Sequence, residues 1–203
     1  TGQTSRVSVD SAGVQGDSIS WFPAISADGR YVAFESYATN FALGDTNGVQ
    51  DIFVHDRLTG QTSRVSVDSA GVQGDSYSRY PAISADGRYV AFQSRATNLV
   101  FGDTNGFEDA FVHDLQTRQT SRVSVDSAGA QASRGGFAAS ISGDGRYVTI
   151  SSASILVPGD TNGETDAYVH DRMTGQTSRV SMDSAGMQGN DQSDSPYISV
   201  DGR

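Results

Sequence analysis

One phrase recurs along this chain, and its spacing limits the fold more than any other feature. TGQTSRVSVDSAG starts at Thr1 and again at Thr59, TRQTSRVSVDSAG starts at Thr117, and TGQTSRVSMDSAG starts at Thr174. The offsets are 58, 58 and 57 residues. A second phrase, ISADGRYVAF, begins at Ile25 and Ile83, returns as ISGDGRYVTI at Ile141, and leaves ISVDGR at Ile198. GDTNG starts at Gly44, Gly102 and Gly159, and a VHD triplet ends at Asp56, Asp114 and Asp171. The chain divides into repeats 1–58, 59–116 and 117–173, followed by a partial repeat 174–203. Such a unit cannot bury its own apolar faces, so neighbours must stack.

Each repeat reads as four strands, A to D. Pro23 to Ser26 is short and apolar, and Tyr31 to Ser36 is rich in β-formers. Asp28-Gly29 between them is a tight-turn signal, because both residue types tolerate positive φ. Asp51 to Asp56 is the third strand, and Gln61 to Asp68 the fourth. In the fourth, Val65 and Val67 face one side while Arg64 and Ser66 face the other, which predicts an outer strand with one wet face. Four antiparallel strands in a unit of this size predict an all-β fold of β-propeller blades: three complete blades, with partial blades at the termini. The 23 glycines and the abundant serine and aspartate suit turns and oppose long helices.

The run PAISADGRYVAFES followed by DIFVHDRLTGQTSRVSV resembles the TolB-like (WD-like) propeller repeat. That family shows a short strand, S-x-D-G-R/K, an apolar strand ending in F-x-S, a strand ending in aspartate, a T-G turn and an outer strand. The resemblance covers the whole chain and implies fold far more than function.

Charge narrows the partners. The formal charge is −10, all 14 basic residues are arginine, and only Glu35, Glu108 and Glu164 among the 24 acids are glutamate. An acidic surface repels phosphate backbones and excludes nucleic acid as the expected partner. With no cysteine there are neither disulfides nor thiolate metal sites. No apolar run has the length of a membrane span. There is no signal peptide and no starting methionine, so the chain reads as a mature or excised piece.

Strand alternation puts the B–C loop (38–50) and the D–A loop (10–20) on one face and the short turns on the other. Long loops on a rigid scaffold are where binding usually resides. GDTNGVQD reads D-x-N-G-x-x-D, with Asp45, Asn47 and Asp51 as oxygen donors and the carbonyl of Val49 as a fourth. Equivalent donors are Asp103, Asn105, Phe107 and Asp109, then Asp160, Asn162, Glu164 and Asp166. The pattern resembles the core of D-x-D-x-D-G-x-x-D calcium loops, including those on some propellers. Calcium takes about 6–8 oxygens at roughly 2.3–2.6 Å, so one Ca2+ per repeat is the expectation. The first ligand of the longer motif is missing, its place holding Leu43, Phe101 or Pro158, and Asp17 or Asp75 could complete the shell. The alternative is a metal-free turn closed by Asx hydrogen bonds.

No catalytic constellation stands out. His55, His113 and His170 occupy one position of each repeat, which suits packing or hydrogen bonding better than catalysis. There is no G-x-S-x-G elbow, P-loop or dinucleotide fingerprint, and Asp28 with Arg30 suits turn geometry. Trp21, Tyr37, Tyr77 and Phe101 either fill gaps between blades, which is favoured, or offer aromatic surface to a sugar or peptide. Propellers close with about 4–8 blades, so the array reads as part of a longer propeller or as a unit that assembles head to tail into homo-oligomers.

The expected function is a calcium-binding, non-enzymatic scaffold. It would recognise a protein or polysaccharide on the long-loop face, or assemble, in an extracellular, periplasmic or cell-surface setting. The alternatives are the non-catalytic propeller portion of a larger secreted hydrolase or lyase, and an extracellular polymer of blades.

Overall fold

Alternation along the two central strands of each repeat puts apolar side chains on both faces, so each sheet demands a neighbour on either side. The computed structural model describes residues 2–203; Thr1, which opens the first repeat, lies outside the described residues. The first sheet comprises β1 (Ser20–Ile25), β2 (Tyr31–Ser36), β3 (Asp51–Asp56) and β4 (Thr62–Arg64). The second comprises β5 (Ser78–Ile83), β6 (Tyr89–Ser94), β7 (Asp109–Asp114) and β8 (Thr120–Arg122). The third comprises β9 (Phe137–Ile141), β10 (Tyr147–Ser152), β11 (Asp166–Asp171) and β12 (Gln176–Arg179). Strand order follows the sequence within every sheet. Neighbours are antiparallel, with Tyr31 opposite Asp56 and Ser36 opposite Asp51 in the first. These are four-stranded propeller blades. Among the described residues no helix is long and apolar enough to cross a membrane.

Two strands depart from expectation. The innermost strand starts three residues earlier than predicted, at Ser20, and its register slips between Trp21 and Ala24. Phe22 and Tyr80, each preceding a proline, take φ of 46° and 53° at this bulge. The outermost strand ends at Arg64 instead of Asp68, because Arg64 and Ser66 turn inward toward carboxylates.

The cores lie between blades. Ala33, Ile52, Val54 and Val65 of the first blade meet Val90, Phe92 and Phe111 of the second in one buried cluster. Ala91, Ala110, Val112 and Val123 of the second meet Val148, Ile150 and Tyr168 of the third in another. Thus β6 sends Val90 and Phe92 backward and Ala91 forward: a bulky face of one blade fits a smaller face of the preceding one. Full burial of a Val, Ile or Phe is worth about 1.5–3 kcal/mol, so these seams carry most of the stability.

The A–B turns form a second seam. The Ala27 N–H donates to the Ala85 carbonyl at 3.0 Å, Ala85 N–H to Gly143 at 3.0 Å, and Gly143 N–H to Val200 at 2.9 Å. Gly87 sits in this seam at φ +73°, with the Tyr31 ring of the preceding blade where a Cβ would be. Asp28 accepts from the Ser26 hydroxyl at 2.6 Å and the Arg30 N–H at 2.9 Å, so it closes its turn as expected.

Candidate functional site

In the GDTNG loops Asn47 and Asp51 meet directly, and Asp45 joins them through Arg64. In the first blade, Asn47 Nδ2 donates to Asp51 Oδ2 at 3.1 Å and to the Gly74 carbonyl at 3.0 Å. Val49 contributes its N–H to Asn47 Oδ1 at 3.1 Å. The second blade repeats this through Asn105, Asp109, Ala132 and Phe107, and the third through Asn162, Gly189 and Glu164. Each Asn therefore spends its oxygen on an Asx turn and its amide on stapling the B–C loop to the D–A loop.

Three residues of the cluster were not among the expected donors. The Ser66 hydroxyl donates to Asp51 Oδ1 at 2.5 Å and accepts the Ile52 N–H at 3.1 Å. Gln73 donates to Asp45 Oδ1 at 3.3 Å and accepts the Thr46 N–H at 3.2 Å. The third is Arg64, whose Nη1 lies 3.4 Å from Asp45 and 3.5 Å from Asp51. Arg122 stands 3.6 Å from Asp103, and Arg179 stands 3.5 Å from Asp160 and 3.4 Å from Asp166. The predicted wet face of the outer strand is thus buried, because Arg64 and Ser66 serve carboxylates beneath it. In the third blade Tyr168 replaces Phe53 and Phe111, and its hydroxyl donates to Asp160 at 2.5 Å.

Two carboxylates and one guanidinium share a desolvated space, so one negative charge is left uncompensated. Burial pushes the Asp51 carboxyl up to about 6, against the opposing pull of Ser66 and Arg64. Burial raises Asp45 and Asp103 as well. Asp17 and Asp75, offered as additions to a metal shell, hold threonines of the B–C loops. Asp17 accepts the Thr39 N–H and hydroxyl, both at 2.8 Å, and Asp75 holds Thr97 the same way at 2.7 Å.

No family model matches the chain and no curated protein matches it. Its blades have solved counterparts. TolB from Acinetobacter baumannii aligns with 91% of this chain and 36% of its own, at 20% identity and a TM-score of 0.53. A putative TolB from Agrobacterium tumefaciens aligns with 93% of this chain and 53% of its own, at 18% identity and a TM-score of 0.56. The fold is a TolB-like β-propeller. The chain spans well under two thirds of either protein, and at this identity the likeness concerns fold alone.

On this TolB-like frame the histidines hydrogen-bond to threonines of the outer strands. His55 Nδ1 lies 2.8 Å from Thr62 Oγ1, with the same pairing at His113–Thr120 and His170–Thr177. Burial lowers the pKa of all three rings. The ring–ring and hydroxyl contacts of Trp21, Tyr37 and Tyr77 lie within single blades, not between them, and Trp21 and Tyr37 are exposed. Trp21 and Tyr37 meet edge to face, 5.9 Å apart, and Tyr77 donates its hydroxyl to Glu108. Phe101 fills no gap between blades: it stands fully exposed at its loop tip, as does Leu43 at the equivalent position.

Arg64, Gln73 and their equivalents carried a signal in the sequence, since each recurs once per repeat. An arginine on an alternating strand reads as solvated until the carboxylates it meets, some 13 to 19 residues earlier in the first blade, are placed beside it.

Proposed function

We propose that this TolB-like propeller is a non-catalytic scaffold that takes a protein partner on its long-loop face. One observation carries the reading. Leu43 and Phe101, at equivalent B–C loop positions, are fully exposed, at 102% and 105%. Val14, Val72 and Met187 are also exposed, at one shared D–A loop position on the same face. Apolar side chains presented blade after blade on loops fit an interaction surface better than a free one.

Charge differs between the faces. On the turn face, Arg30 pairs with Asp56 at 2.7 Å, Arg88 with Asp114 at 2.7 Å and Arg146 with Asp171 at 2.6 Å. The long-loop face carries Asp10, Asp17, Asp68 and Asp75 on exposed or half-buried loops. A partner with apolar sockets and a basic rim matches that face.

The test is site-specific photocrosslinking in the source cell extract, with benzoylphenylalanine at position 101 or, as control, at position 58 on the turn face. Specific adducts from position 101 that vanish with Leu43→Asp are expected. Equal adducts from both positions, or none from position 101, would overturn the reading.

A further inference from the structure

We propose that Arg64, Arg122 and Arg179 act as built-in counter-ions of the GDTNG loops, occupying the place of a divalent cation, and that removing the arginine creates a calcium site. The Arg64 guanidinium reaches Asp45 and Asp51 at 3.4 and 3.5 Å, and Arg179 reaches Asp160 and Asp166 at 3.5 and 3.4 Å. These are ion-pair distances, longer than the hydrogen bonds a carboxylate makes with a well-aligned guanidinium. The side chains are 8% and 7% exposed, yet Arg64 Nε and Nη1 and Arg179 Nε have no hydrogen-bond partner. Arg64 is therefore held between its carboxylates by charge and packing, whereas Arg179 is also directed by its Nη1 bond to Gln188 Oε1 at 2.7 Å.

A point charge between two carboxylates is the arrangement a hard cation supplies. Here the +1 charge is covalently attached to the neighbouring outer strand. It cannot dissociate, so the loops are ordered without calcium. Asn47, Asn105 and Asn162 fit this reading, since their oxygens already accept backbone N–H groups within the turn. Truncating the arginine leaves two buried carboxylates facing a cavity, a net −2 that calcium neutralises and a monovalent ion does not.

The experiment compares thermal melts of the whole chain and of Arg64→Ala in millimolar calcium, in magnesium and in chelator. The parent chain should melt identically in all three. Arg64→Ala should melt lower in chelator and regain at least about 3 °C in calcium alone, because a ligand of the native state stabilises it by mass action. Adding Asp45→Asn and Asp51→Asn to Arg64→Ala should abolish the calcium response. A calcium-dependent rise in the parent chain would overturn the proposal, as would an Arg64→Ala chain that melts cooperatively and ignores calcium. If Arg64→Ala does not fold in chelator, its folding on calcium addition becomes the readout, and continued failure in calcium counts against the idea. Arg179→Ala gives a second signal: terbium bound at Asp160 should luminesce on excitation of Tyr168, whose hydroxyl touches that carboxylate. Absence of that luminescence in a folded Arg179→Ala chain would also overturn it.

Discussion

The Thr62 hydroxyl donates to the carbonyl of Val9, 2.6 Å away and 53 residues earlier in the chain. Its one proton is spent there, so His55 Nδ1, at 2.8 Å, must be the protonated ring nitrogen that donates to Thr62. The same relay joins His113 through Thr120 to Val67, and His170 through Thr177 to Val125. Each outer strand is thereby tied to the loop of the preceding repeat. The Val9 carbonyl fixes the direction of the hydroxyl, and the hydroxyl in turn fixes the histidine tautomer.

Thr120→Val keeps the shape and removes both bonds, leaving the buried Val67 carbonyl and His113 N–H without partners. A loss of about 1–3 kcal/mol follows from exposing that desolvation cost. Urea denaturation would measure it, and a loss below about 0.5 kcal/mol would show that water replaces the hydroxyl.

Gly87→Ala should cost more than Gly106→Ala. Both glycines have positive φ, at +73° and +71°. Gly106 opens onto empty space, so alanine there meets backbone strain alone, about 1 kcal/mol. At Gly87 a Cβ would lie 2.3 Å from Tyr31 Cδ2, so the blade seam must also shift. Comparing urea midpoints of the two variants checks the difference.

Acidification should act on stability in two opposing ways. The Asp51 pKa is raised from 3.8 to about 6, so the folded state holds its proton where the unfolded chain has lost it. That contribution is fully present below about pH 4 and is lost as pH rises through about 6. Asp56 and Asp171 run the other way. Arg30 and Arg146 hold them far below the usual carboxylate range, so their contribution exists above about pH 4 and disappears as pH falls further. Melting temperature measured from pH 3 to pH 8 should fall steeply below pH 4. Asp51→Asn should gain on the parent chain as pH rises from 4 to 7, and a constant difference across that range would refute the assignment.

Replacing Leu43 and Phe101 with serine should leave the melting temperature within about 1–2 °C of the parent, since neither side chain is buried. A larger loss would mean that these loop tips fold back onto the blades in solution.

Much of the fold was legible in the sequence because repetition amplifies weak signals. The strands Tyr31–Ser36 and Asp51–Asp56 lie where the β-formers and turn residues put them. The bulge at Phe22 was hidden, because a pre-proline residue reads as extended whereas Phe22 takes φ 46°. In the site, Asp45, Asn47 and Asp51 were legible as one loop; Asn47 meets Asp51 directly, and Arg64 links Asp45 to Asp51. Arg64 was not, because alternation reports which side of a strand a residue occupies and not what covers that side. Phe101 misled for a related reason: aromatic residues usually seek burial, and nothing local marks a loop tip as the exception.

The unequal faces of each blade have a consequence for how such a chain can change. Because Val90 and Phe92 project one way and Ala91, Ala110 and Val112 the other, the stack has polarity, and a blade inserted backward would set bulk against bulk. Inserted forward, a repeat meets its neighbour through equivalent positions, with side-chain changes such as Ile52 to Ala110 and Phe92 to Ile150 between one seam and the next. The natural cassette for recombination is therefore one whole repeat of 57 or 58 residues, gained or lost at equivalent seams with only local repacking.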